Sequence, residues 1–119
     1  LETIRVRQTE ALADGVTDAA VAALLESRRP DGERIEREMV RQHEKIERGL
    51  AELERRLGAG PWFNGNALQL GDIAVGAALG YLDLRFPALD WRGRHPGLVP
   101  FAQRMFERAS FKNTQPPAG

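Results

Sequence analysis

The residues of this chain that could carry out chemistry are few and widely spaced. The sequence contains no cysteine, which excludes thiol catalysis and disulfide bonds within the chain. Its two histidines, His43 and His95, have no companion residues at the spacing of a metal site. Histidines in such a setting usually have a structural or surface role. We therefore predict no catalytic residue and no metal site in this chain.

One face of the first predicted helix carries the candidates for a binding surface. Helical spacing places on this face Arg7, Ala11, Asp14, Asp18, Val21 and Leu25. Its N-terminal half is polar and its C-terminal half is apolar, which predicts a helix that leaves the core partway along and lines a substrate cleft or an interface. Gly15 follows Asp14, and glycine within a helix costs about 1 kcal/mol relative to alanine, which favours close approach of another group. Simple exposure to solvent is the alternative interpretation of the polar half.

Length and charge restrict the classes of function. The 119 residues suffice for one domain with its own core. The 17 basic and 17 acidic residues give zero formal net charge, which argues against a nucleic-acid partner and an anionic-membrane partner. The longest apolar run, about ten residues, is too short to cross a bilayer. No signal peptide is visible, and the absence of cysteine fits a cytoplasmic protein.

The hydrophobic pattern predicts an all-α fold, a helical bundle of about four or five helices. The first helix runs from about Thr3 to Arg29 and the second from about Asp31 to Leu57. Only a short turn joins them, so they should form an antiparallel hairpin. An aromatic loop at Trp62-Phe63 and a central helix follow. The last helix starts at His95-Pro96, because proline suits the first turn of a helix.

The central helix, Gln69–Arg85, is the most informative element. Its middle carries no charged residue, so it should be buried among other helices. Asp72 lies in its first turn, where a carboxylate can accept hydrogen bonds from free backbone N–H groups and meets the positive end of the helix dipole. The cap residue is either Gln69, with Asp72 three residues on, or Asn66 one turn earlier. We interpret Gln69 and Asp72 as a structural helix cap.

Four blocks of the sequence carry a resemblance to a known family. They are A-L-A-D-G-V-T-D-A-A at 11–20, G-P-W-F-N-G-N-A-L at 60–68, L-G-D-I-A-V-G-A-A-L-G-Y-L-D-L-R at 70–85, and H-P-G-L-V-P-F with R-A-S-F-K-N-T-Q-P-P within 95–117. Together they resemble the C-terminal helical domain of glutathione transferases, especially of bacterial glutathione-transferase-like proteins. The resemblance covers nearly the whole chain and implies one such domain over 1–119. The family usually has serine or threonine at the cap position that Gln69 occupies here.

The resemblance implies a function divided between two domains. Family members have an N-terminal thioredoxin-like domain that binds glutathione and activates its thiol. We expect that this chain, which begins at Leu1 without an initiator methionine, was cut from such a protein and lacks that domain. Glutathione would then be a co-substrate of the full-length protein, and the chain alone would bind no cofactor.

The resemblance also implies a role for the first helix. In the family, this helix supplies most of what the helical domain contributes to the pocket for a small hydrophobic electrophile and to the homodimer interface. The polar half-face of Arg7, Asp14 and Asp18 coincides with that region. The alternative is a non-catalytic protein-interaction module, because similar helical domains serve as assembly modules in translation factors and synthetase complexes.

Overall fold

Five α-helices and one short 3₁₀ turn form the part of the chain that the structure describes. The structure is a computed structural model, and it describes residues 2–33, 35–65 and 67–108. The helices are α1 (Glu2–Ser27), α2 (Glu36–Leu57), α3 (Leu70–Arg85), α4 (Trp91–Arg94) and α5 (Val99–Glu107), and the 3₁₀ turn Pro96–Leu98 precedes α5. No β-strand forms among these residues. The predicted all-α fold is confirmed.

Helices α1 and α2 pack against each other as a hairpin. A Cβ atom added at Gly49 of α2 would overlap Cγ2 of Val16 on α1, so glycine sets how closely the two helices approach. Helix α2 begins at Glu36 instead of Asp31. The reason is a turn in which the Glu33 N–H donates to the Pro30 carbonyl oxygen at 3.0 Å. Gly32 in this turn has a φ of 90°, a conformation that a helix cannot include.

The hydrophobic core lies where α1, α2 and α3 meet and extends to α5. It consists of small residues from α1 and larger side chains from the other elements. Its fully buried members include Ala13, Val16, Ala20, Ile46, Leu50, Leu53, Val75, Leu79, Leu82, Trp91, Leu98, Phe101 and Met105. The small residues of α1 permit close helix packing. The predicted burial of the central helix α3 is confirmed for the side that carries Val75, Leu79 and Leu82.

The burial of α3 is one-sided. Val75, Leu79 and Leu82 are fully buried, whereas Leu70 is 65% exposed and Ile73 is 41% exposed. The uncharged middle of α3 predicted burial among other helices, and this is wrong for the side that carries Leu70 and Ile73. Within the described residues nothing covers this second side, so the composition of α3 is more apolar than packing within the chain requires.

A polar corner attaches α4 to the end of α3. The Asp83 carboxylate accepts hydrogen bonds from Arg92 at 2.7 and 2.9 Å and from the Trp91 indole N–H at 3.0 Å. The hydrogen bond to Asp83 raises the pKa of the Arg92 guanidinium above its ordinary value. The segment Trp91–Arg94 is helical, because the Asp90 side chain caps it by accepting from the Gly93 N–H.

No helix in the described part of the chain has the length and apolar content needed to cross a membrane.

Candidate functional site

The exposed face of α1 contains all five residues that the sequence singled out as cleft or interface candidates. These residues, Arg7, Ala11, Asp14, Gly15 and Asp18, are exposed. Among the described residues, the side chains of Arg7, Asp14 and Asp18 have neither a hydrogen-bond nor an ion-pair partner. The ideal Cβ position of Gly15 has no neighbour within 4 Å, so no part of the described chain approaches this glycine closely.

The prediction that this face enters the core along its C-terminal half is wrong. Val21 is 37% exposed and Leu25 is 60% exposed. The core side of α1 is a different stripe, formed by Val6, Thr9, Ala13, Val16, Ala20 and Ala23, each at most 9% exposed. The whole length of the candidate face is therefore open to solvent.

The candidate face carries three charged side chains among small residues. It offers one guanidinium, two carboxylates and, around Ala11 and Gly15, little steric bulk. No group of three or more histidine, cysteine, aspartate or glutamate residues that could hold a metal ion occurs in the described ranges. Such a surface can orient a ligand, but it supplies no activated nucleophile of its own.

The beginnings of α1 and α3 lie together beside this face. A Cβ atom added at Gly71 would lie 2.9 Å from Thr9 Cβ and 3.2 Å from the Val6 carbonyl oxygen. Because glycine has no Cβ atom, α3 can approach α1 this closely. Both helices carry exposed aliphatic side chains near these beginnings: Ile4 is 58% exposed, in addition to Leu70 and Ile73. These three side chains leave aliphatic surface of two neighbouring helices in contact with water.

Asp72 joins the beginning of α3 to the loop before it. Its side chain is fully buried, and it lies in the first turn of α3. Oδ2 accepts a hydrogen bond from the Gln69 N–H at 2.8 Å, and Oδ1 accepts one from the Phe63 N–H at 2.7 Å. The second bond reaches outside the helix and was not expected from the sequence. Asp72 therefore holds the aromatic loop as well as the helix end.

Gln69 is the N-cap residue of α3, whose first helical residue is Leu70. Gln69 and Asp72 are arranged as a capping box, but the Gln69 side chain makes no capping hydrogen bond of its own. The Asp72 N–H donates instead to the backbone carbonyl oxygen of Gln69 at 3.1 Å. Asn66, the alternative cap, lies outside the described residues. Of the two side chains in the cap, the Asp72 carboxylate is therefore the one that makes a hydrogen bond, which it accepts from the Gln69 N–H.

The aromatic loop packs onto α5. The Phe101 ring meets the Phe63 ring edge-on with a centroid distance of 5.1 Å and the Trp62 ring at 6.0 Å. Arg104 donates to the Pro61 carbonyl oxygen at 2.6 Å and lies over the Trp62 ring. Asp72 therefore holds the backbone of this loop at Phe63, and Phe101 contacts its two aromatic side chains.

The two histidines have different surroundings. His43 is half-buried, contacts Phe86 edge-on at a centroid distance of 5.9 Å, and lines an open groove of about 500 Å³ beside α2. His95 is only 6% exposed and lies between the carboxylates of Glu47 and Glu54. The sequence predicted structural or surface roles but did not identify these carboxylates, which are 48 and 41 residues distant. The i,i+7 spacing of two glutamates on α2 was the available signal.

Comparison with known proteins identifies the family. The model of the family described as "Glutathione S-transferase, C-terminal domain" matches residues 18–104. The chain is 42% identical over 117 residues to the uncharacterised GST-like protein YibF of Escherichia coli (strain K12), covering 98% of this chain and 57% of that protein.

Solved structures agree with this result. A glutathione S-transferase of Methylobacillus flagellatus KT with glutathione bound is 48% identical, with a TM-score of 0.93 over 96% of this chain and 56% of that one. A glutathione S-transferase of Methylobacterium radiotolerans JCM 2831 in complex with glutathione sulfonate is 44% identical, with a TM-score of 0.90 over 98% of this chain and 55% of that one. The chain thus spans just over half the length of these relatives. It belongs to the glutathione S-transferase family, in which it represents the C-terminal helical domain.

Proposed function

We propose that this chain is the helical half of an enzyme that transfers glutathione to, or uses it to reduce, a small hydrophobic electrophile. The observation that carries the proposal is the charged face of α1, whose Arg7, Asp14 and Asp18 have no partner among the described residues. A solved relative 48% identical to the chain has glutathione bound. Within the described ranges these three charged side chains make no hydrogen bond or ion pair of their own, so they are available for a ligand or for another part of the protein.

In this proposal the other half is an N-terminal thioredoxin-like domain, which binds glutathione and activates its thiol. The exposed aliphatic residues Ile4, Leu70 and Ile73 support the presence of such a domain, because a cover over them would remove apolar surface from water. The isolated chain would then bind no glutathione and catalyse no reaction. A homodimer and a cytoplasmic location belong to the same proposal.

The charged face of α1 would act by positioning. A glutathione thiolate held by the N-terminal domain attacks an electrophilic carbon, a C–S bond forms, and the electron pair departs with the leaving group or moves onto the acceptor. Holding the electrophile at attack distance can supply several kcal/mol of the barrier reduction. Arg7 could hold an anionic or electron-rich part of the electrophile, while Ala11 and Gly15 leave space for it.

Replacing Arg7 or Asp18 in the full-length protein should weaken binding of the electrophile. The expected change is a rise of up to about tenfold in the KM for the electrophile, the size of one lost charged hydrogen bond. The KM for glutathione should stay unchanged, since glutathione binds to the other domain. Steady-state kinetics of Arg7→Ala and Asp18→Ala, with each substrate varied in turn, measure this.

Arg37→Ala is the matched control for Arg7→Ala, because Arg37 is exposed on α2. It should change neither KM. Unchanged kinetics in Arg7→Ala and Asp18→Ala would contradict the role of this face in the pocket. A full-length protein without any transferase activity would favour the alternative function, a non-catalytic protein-interaction module that uses the exposed length of α1, including Val21 and Leu25.

A further inference from the structure

Thr9 brings a hydroxyl group into the first half of the core stripe of α1. Its side chain is 3% exposed, and the neighbouring residues of the stripe, Val6, Ala13 and Val16, are apolar. A hydroxyl group taken out of water costs free energy unless it is hydrogen-bonded, and a valine would fill nearly the same volume without that cost. The reason for a threonine at this position must therefore be sought in the contacts of its hydroxyl group.

The Thr9 hydroxyl has one acceptor within α1 and one outside it. It donates to the Arg5 carbonyl oxygen at 3.0 Å, one turn back along the helix, and to Asn64 Oδ1 at 3.4 Å as the longer branch of a three-centre hydrogen bond. The bond to Arg5 stays within the helix, so it cannot fix the position of the helix in the fold. The bond to Asn64 spans 55 residues of sequence and joins α1 to the aromatic loop.

The groups that Thr9 contacts are themselves held in place. Asn64 follows Phe63, whose N–H donates to the buried Asp72 carboxylate at 2.7 Å. On α3, a Cβ atom added at Gly71 would lie 3.0 Å from Thr9 Cγ2, so the methyl group of Thr9 packs closely on the backbone there. Thr9 therefore contacts the loop through its hydroxyl group and α3 through its methyl group.

These two contacts determine the rotation of α1 about its own axis. Val6 and Ala13 on the same stripe offer apolar surface, which favours no single orientation. A hydrogen bond is directional, so a buried hydroxyl group selects one orientation among those that apolar packing tolerates. Arg7 and Ala11 lie two residues on either side of Thr9, about 160° around the helix from it. The contacts of Thr9 on the inner side of α1 therefore determine where Arg7 and Ala11 lie on the outer side.

We propose that Thr9 is a positioning residue, which through Asn64 and Gly71 holds the first half of α1 in the orientation that presents Arg7 and Ala11 to the electrophile. Thr9 itself lies on the inner side of the helix and touches no substrate. The inference rests on the proposed function, in which the face of α1 places the electrophile against a glutathione thiolate. Placement matters in such a reaction, because a displacement of about 1 Å can lower the rate about a hundredfold.

Substitutions of Thr9 in the full-length protein separate the effect of its hydroxyl group from that of its methyl group. Thr9→Val loses the hydroxyl group at nearly constant volume, so we expect kcat to fall about tenfold while the KM for glutathione stays unchanged. Thr9→Ser retains the hydroxyl group and should recover most of this loss. Thr17→Val, the same change at a half-buried threonine of the same helix, is the matched control and should change neither constant. Equal kcat values in Thr9→Val and Thr17→Val would overturn the proposal.

Asn64→Ala tests the same contact from the loop. It removes the acceptor and leaves the sequence of α1 unchanged, so it keeps the proposal testable if Thr9→Val does not fold. We expect the same fall in kcat as in Thr9→Val. The double variant should lose no more than either single variant, because both substitutions remove one and the same hydrogen bond. Losses that multiply in the double variant would show that Thr9 and Asn64 act independently and would contradict the proposal.

Amide hydrogen exchange measures the positioning of α1 without a catalytic readout. The amides of residues 5–12 should exchange about fivefold faster in Thr9→Val than in Thr17→Val, the size of one neutral hydrogen bond. Equal exchange in the two variants would contradict the positioning role, whatever the activity of the protein. Faster exchange in Thr9→Val, together with a wild-type protein that transfers no glutathione, would support the role of Thr9 in orienting α1 and contradict the proposed function alone.

Discussion

Asp72→Ala is expected to destabilise the protein by about 3 kcal/mol. The substitution leaves the Phe63 and Gln69 N–H groups without their acceptor, in a place where the carboxylate is fully buried. Hydrogen bonds to a charged group contribute about 1.5–3 kcal/mol each, and loss of an N-terminal cap costs about 1 kcal/mol. These contributions overlap, because one side chain makes them all. Urea unfolding followed by far-ultraviolet circular dichroism measures the change.

Asp14→Ala is the matched control for this substitution. Asp14 is exposed on α1 without a described partner, and alanine is the better helix former. We expect an effect within about 0.5 kcal/mol of zero, or a slight stabilisation. If Asp72→Ala were as mild as Asp14→Ala, Asp72 would not join the loop to α3. Asp72→Asn, which keeps one carbonyl acceptor, should fall between the two.

Phe101→Ala should destabilise the protein by about 3–5 kcal/mol. The ring is fully buried and makes edge contacts with Trp62 and Phe63. Truncating such a ring removes its buried apolar surface and leaves a cavity that the surrounding helices fill only partly. The loop and α5 would lose their common contact. Thermal and urea unfolding, followed by the fluorescence of Trp62 and Trp91, measure the loss.

Phe106→Ala provides the comparison on the same helix. Phe106 is only half-buried, and its ring would lie 3.9 Å from a Cβ atom added at Gly80 of α3. Its truncation should cost clearly less than that of Phe101. Phe101→Leu retains most of the volume and should cost less than about 1.5 kcal/mol. Equal losses for Phe101→Ala and Phe106→Ala would contradict the assignment of Phe101 as the core contact of the loop.

Local signals in the sequence predicted the helices well. Helix α2 ends at Leu57 and α3 ends at Arg85, as predicted. The beginning of α2 was misplaced, because Asp31 resembles a helix cap but belongs to a turn around Gly32. Turn chemistry and helix capping use the same residue types, and only the backbone geometry distinguishes them.

Features that depend on distant parts of the chain, or on other chains, were less predictable. The apolar composition of α3 predicted burial, but it did not indicate which side the chain itself covers and which side is left exposed at Leu70 and Ile73. The same limit produced the error at Val21 and Leu25. The surroundings of His95 are formed by Glu47 and Glu54, two residues that are distant from it in the sequence. Contacts of this kind follow from the packing of helices and not from a local pattern.

We propose that this helical domain works with a second domain that binds glutathione. Calorimetric titration of glutathione into the full-length protein, and separately into residues 1–119 alone, tests it most directly. Glutathione sulfonate, which a relative of similar fold binds, should compete for the same site. We predict saturable binding with one site per chain in the full-length protein, and none in the isolated domain. Absence of binding to the full-length protein, or equal binding to the isolated domain, would contradict this account.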